Sequence, residues 1–150
     1  MEIVGLIALS FVGSLFWLVN TEGTAIVYGS QKGWNPLMVG VCCAVGQLGM
    51  HSLLYFGGGR VLERWRWLRE REARVRARYG ERLEKRYLAI TALGSLTGAP
   101  PVVILSVLAH GFGVPARHYL TLMFPLRIVR FTILAALGVQ IGAFWRALFS

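Results

Sequence analysis

The stretch "FWLVNTEGTAIVYG", residues 16–29, decides how this chain is read. Apolar residues lead into it from 3–19, "IVGLIALSFVGSLFWLV", and resume at 25–29, with the carboxylate of Glu22 between them. A charge at the centre of a membrane helix costs at least about 2.5–3.5 kcal/mol, so such a group normally faces a cavity or a partner. Asn20, Thr21, Gly23 and Thr24 all compete with helical backbone bonding. The stretch therefore reads as a break at 20–24, with Gly23 at its tip, between an apolar arm at 3–19 and a short arm at 25–29.

The rest of the chain sets the solvent in which that break sits. Of 150 residues, 55% are hydrophobic and 15% charged, against about 45–50% and about 25% in soluble domains. Three long runs lack any charge, 3–21, 33–59 and 87–116. A spanning helix needs roughly 20 apolar residues, so the last two are long enough and the first is borderline. Residues 60–86 hold eleven Lys or Arg and five Glu, which is +6 of the total +9. That block is expected on the cytoplasmic side. A nucleic-acid partner is not expected, because most of the chain is too apolar to face water. Met1-Glu2 lacks the positive charge of a signal peptide, so 3–19 is expected to belong to the mature fold. Cys42 and Cys43 are the only cysteines; side by side, they read as two small apolar residues rather than a disulfide framework or a metal site.

Pro36 suits the first turn of a helix, expected to run over 37–56 and stop at Gly57-Gly58-Gly59. Residues 60–79, "RVLERWRWLREREARVRARY", carry the (i, i+4) pairs Arg66–Glu70, Glu70–Arg74 and Glu72–Arg76, which support a helix. It is either a solvated linker or an amphipathic helix on the membrane surface, with Trp65 and Trp67 inserted and Arg64 and Arg71 at anionic headgroups. Gly80 is expected to interrupt it. In the run 87–116, Pro100-Pro101 rules out one straight helix, so this run reads as two short arms around a bend. One long helix, 116–149, follows, with Pro125 a possible kink.

The two ends of the chain then match. Setting Pro36 on Pro115, an offset of 79, places Glu22 on Pro101 and His51 on Arg130. The expected fold is all-α and membrane-integral. It has two similar halves, 1–59 and 87–150, each a broken, re-entrant helical hairpin plus a long membrane helix. A basic amphipathic segment joins them, and the halves form an inverted repeat. Broken segments at matching positions point to a site near the midplane.

Four ionisable groups lie in apolar surroundings: Glu22, His51, Arg127 and Arg130. Arg127 and Arg130 share a helix face at (i, i+3), where two guanidiniums repel unless an anion is near. Glu22 or a lipid phosphate would serve, and Arg suits phosphate through its planar donor fork. Glu22 is the candidate proton-coupling group: it would take up a proton when phosphate occupies its cationic partner and release it when the partner returns. Simpler roles stand beside these. Glu22 could cap its own arm, Arg127 and Arg130 could snorkel to an interface, and His51 could be a core hydrogen-bonder.

In order along the chain, Glu22, Asn35-Pro36, the spaced Gly49, Tyr55 and Gly59-Arg60, then Tyr79-Gly80, Pro100-Pro101 and "LRIVRF" at 126–131 resemble the DedA/SNARE-associated, or VTT-domain, membrane proteins, particularly the short YqaA-like branch. The resemblance implies two facing re-entrant hairpins with tips at Gly23 and Pro100-Pro101. It also implies translocation of phospholipids or polyprenyl phosphate carriers, driven by protons in bacterial members, and residence in a bacterial or archaeal plasma membrane.

The expected function is a lipid or lipid-phosphate translocase. Glu22 couples protons, Arg127 and Arg130 bind phosphate, and His51 is a secondary candidate. Two other classes stand against it: a membrane module that binds anionic lipid or a partner protein without transport, and a small oligomeric ion channel. The chain has no Asp, no phosphate loop and no metal motif, so neither an enzyme nor a cofactor or metal is expected; the partners are membrane lipids, with a homo-oligomer open.

Overall fold

The computed structural model describes residues 2–14, 21–31, 34–63 and 66–149. They form six helices: α1 (Glu2–Gly13), α2 (Thr21–Ser30), α3 (Pro36–Glu63), α4 (Arg66–Thr97), α5 (Val102–Gly111) and α6 (Ala116–Phe149). No strand occurs among the described residues. Two helices carry segments long and apolar enough to cross a membrane, Pro36–Gly58 and Ala116–Phe144. Residues 15–20 lie outside the described residues, and with them Asn20 and the start of the expected first bend.

Three local expectations are corrected. Thr21 to Thr24 are helical rather than part of a break, and Gly23 stands in the first turn of α2. The Gly57-Gly58-Gly59 triplet does not stop α3, which runs on to Glu63. Gly80 does not interrupt α4, so residues 66–86 of the basic segment and the first apolar arm of the second half are one continuous helix. Pro125 lies inside α6, as expected of one long helix over 116–149. The reason is common to the last two corrections and to this proline. A glycine costs a helix interior only about 1 kcal/mol, and a single proline removes one bond from a helix about 51 Å long. Helices end where a following segment satisfies the freed carbonyls.

Such endings are visible at the real boundaries. The Asn35 side chain accepts from the Leu37 N–H at 2.9 Å and Pro36 opens α3, which accounts for the Asn-Pro pair. α4 ends at Gly98, whose φ of 86° is the left-handed conformation glycine permits. Pro100 and Pro101 follow, Ala99–Pro100 being cis, and α5 starts at Val102. The turn comes back so closely that a Cβ on Gly94 would lie 2.7 Å from the Pro100 carbonyl oxygen.

The chain packs as two units, one of residues 1–50 with 124–150 and one of residues 51–123. They cut across the halves read from the sequence, because the C-terminal part of α6 belongs with the first helices. In the first unit α1 packs on α2, and Leu6, Ala25, Val39, Cys42, Cys43, Phe131 and Ala135 form the core, with both cysteines free thiols. Glycine brings backbones together there. A Cβ on Gly29 would lie 2.2 Å from the Ala135 carbonyl oxygen, and one on Gly138 would lie 2.2 Å from that of Ile26. This is the small-residue packing used where helices cannot rely on water to drive them together. In the second unit α4 packs on α5. Gly58 of α3 meets Val107 of α5 there, where a Cβ would lie 2.9 Å from the Val107 Cγ1, so this glycine serves packing rather than termination.

Large apolar side chains face outward on every helix: Val4, Val27, Leu53, Leu93, Ile104 and Phe144 are each more than half exposed.

Candidate functional site in the first unit

The site is built where α2 meets α6. α2 begins at Thr21, which is buried, and Glu22 falls in its first turn, where the helix dipole favours a carboxylate. α6 carries Arg127 and Arg130 one turn apart. Arg130 Nη2 donates to Glu22 Oε1 in an ion pair. The two side chains are unequally covered, Arg130 being 10% and Glu22 37% exposed. Arg127 is buried, and its guanidinium carbon lies 5.8 Å from the centre of the Phe131 ring, within cation–π range.

The charge balance is simple. Glu2 and Glu22 are the only acids in residues 1–50 and 124–150. Two guanidiniums and one carboxylate leave the α2–α6 cluster with a formal excess of one positive charge. The same unit buries polar atoms without a hydrogen-bond partner among the described residues: Thr21 Oγ1, Gln47 Oε1 and Thr132 Oγ1. Buried polar atoms of this kind ordinarily have a partner, protein or water, so this interior is suited to water or a polar group. No group of three His, Cys, Asp or Glu side chains that could hold a metal ion comes together among the described residues.

No protein-family model, curated protein or solved structure matches this chain. The geometry and the residue order are therefore what bear on function.

The other predicted site residues lie elsewhere. His51 belongs to the second unit, where its Nδ1 is 2.7 Å from Ser106 Oγ. Ser106 Oγ is in turn 2.8 Å from the Tyr119 hydroxyl and donates to the Val102 carbonyl at 2.8 Å. All three side chains are almost wholly buried. Tyr55 donates to the Val114 carbonyl at 2.7 Å, and Tyr87 donates to that of Leu105. Sequence reasoning reached His51 as a core hydrogen-bonder but missed its partners. Their one visible signal was a lone serine in the run "VVILSVLAHG"; the tyrosines counted as apolar. Pro100 and Pro101 form the α4–α5 turn of the same unit. Arg64 and Trp65 lie outside the described residues, and Trp67 and Arg71 are described only as helical backbone of α4.

Proposed function

We propose that the chain resides in a membrane and translocates lipid or lipid-phosphate carriers. In this reading Arg127 and Arg130 bind the phosphate and Glu22 carries the coupled proton. The observation that supports it most is the Glu22–Arg130 pair beside the buried Arg127, on helices whose outer faces are apolar. A phosphate offers Arg130 more acceptor oxygens than Glu22 does, and Arg127 stands one turn away on the same helix. When phosphate takes Arg130, Glu22 gives up its cationic partner and, in this reading, takes a proton in its place. Proton uptake then accompanies binding of the headgroup, and proton release accompanies its departure.

Helix lengths support the re-entrant part of the reading. α1, α2 and α5 have 12, 10 and 10 residues, about 15–18 Å at 1.5 Å per residue, against a hydrocarbon layer of about 30 Å. Backbone that stops inside that layer must be covered by protein or face a wet cavity. The paired helices α1–α2 and α4–α5 suit two such hairpins, and the inverted repeat and the resemblance to DedA proteins belong to this same proposal.

Reconstitution tests it. In proteoliposomes containing a fluorescent phospholipid, Glu22→Gln and Arg130→Ala are each expected to slow transbilayer movement by at least about tenfold, the equivalent of one lost charge-assisted contact. Unchanged flipping rates in both variants would rule the mechanism out.

A further inference from the structure

The second unit carries a groove of about 550 Å³ between α4 and α6, lined by Leu88, Ala89, Ala92, His118, Thr121 and Leu122. One end of it is polar. His118 Nδ1 lies 2.8 Å from Glu84 Oε1, tying the two helices together. Beyond that pair, Lys85 and Arg86 on α4 and Arg117 on α6 are exposed. The groove residues follow one turn later on each helix: 88 and 89 stand three to four positions past 85, and 121 stands four past 117. Positions three and four apart share a helix face, so the basic residues and the groove belong to the same side of each helix. Both helices therefore change from charged to apolar at the same level. α4 does so at Arg86–Tyr87, and α6 does so after His118.

We propose that this groove binds one anionic phospholipid, its acyl chain along Ala89, Ala92 and Leu122 and its phosphate on Lys85, Arg86 and Arg117. The charge argument selects the occupant. Three cations against Glu84, which is already engaged with His118, attract an anionic headgroup and give a zwitterionic one no advantage. Exposed Ile90 and Leu93 on α4 continue the apolar surface that a bilayer would cover. The proposal rests on membrane residence but not on Glu22, Arg127 or Arg130.

The test uses the full chain in a mild non-ionic detergent. It is titrated with dioleoyl phosphatidylglycerol or dioleoyl phosphatidylcholine, and bound lipid is counted by native mass spectrometry. Phosphatidylglycerol is expected to bind at least about fivefold more tightly. Arg86→Ala with Arg117→Ala should lower its affinity by about fivefold per side chain and leave phosphatidylcholine unchanged. Ala89→Phe, at an exposed position, should weaken both lipids by filling the groove, with helicity and elution volume unchanged. Equal affinity for the two lipids, or selectivity that survives the double substitution, overturns the site. So does a dimer that Ala89→Phe dissociates, which would assign the groove to a second copy of the chain. Failure of the membrane reading shows separately, as a chain that does not float with phosphatidylcholine vesicles.

Discussion

Gly138→Leu is expected to abolish the folded first unit, whereas Gly23→Ala is expected to leave it intact or more stable. At Gly138 the nearest atom to a new Cβ is the Ile26 carbonyl oxygen at 2.2 Å, with the Ile26 Cα at 3.1 Å. Both are backbone atoms, so no side chain can turn aside, and α2 must leave α6. Overpacking a core side chain costs about 1–3 kcal/mol; a clash with helix backbone lies at or above the upper end. The displacement would also part Glu22 from Arg130, since one residue stands on each helix. At Gly23 a new Cβ meets nothing within 4 Å, and in a helix alanine is better than glycine by about 1 kcal/mol. Unfolding in detergent, followed by circular dichroism, separates the two. A destabilised Gly23→Ala would return this glycine to a bend that needs its backbone freedom. A normally folded Gly138→Leu would mean that α2 and α6 do not approach as described.

Ser106→Ala is the second substitution with a large expected effect. Its hydroxyl is the meeting point for His51 and Tyr119, at 2.7 and 2.8 Å, and Ser106 is fully buried. A buried polar group that loses its partner costs about 1–3 kcal/mol, and here two groups share one oxygen. Tyr119 also makes a long contact to the Val102 carbonyl, at 3.4 Å. A loss of about 2 kcal/mol is expected for Ser106→Ala. Tyr119→Phe keeps the stack on Tyr55, whose ring lies 6.1 Å away, and removes one bond, so it should cost about 1 kcal/mol. The double variant should cost less than the sum of the two, because both remove the same contact. Strict additivity would mean that the hydroxyls act independently.

These two cases also show where sequence reasoning reached and where it stopped. The helical class followed from long apolar runs, and the turn at Gly98 to Pro101 followed from tandem proline, a purely local constraint. Asn35-Pro36 marked a helix start because capping uses atoms two residues apart. Glycines misled. Gly57-Gly58-Gly59 and Gly80 looked like stops, but what a missing Cβ does depends on what approaches it. At Gly58 that is Val107, 49 positions away. The tyrosines of the second unit were hidden for the same reason, since a phenol in an apolar run shows its hydroxyl's role only once a carbonyl is placed against it.

What the sequence by itself determined is the set of charges that apolar surroundings must accommodate: Glu22, His51, Arg127 and Arg130. Their number and types follow from composition, and the shared face of the two arginines follows from a spacing of three. Tertiary structure alone decided the pairing. It set Glu22 on Arg130 across 108 residues, turned Arg127 onto Phe131, and gave His51 to Ser106 in a separate unit. Ion pairs and hydrogen bonds act over a few ångströms, and only helix packing brings such distant positions that close. At the α2–α6 crossing the packing depends on the bare backbones of Gly29 and Gly138.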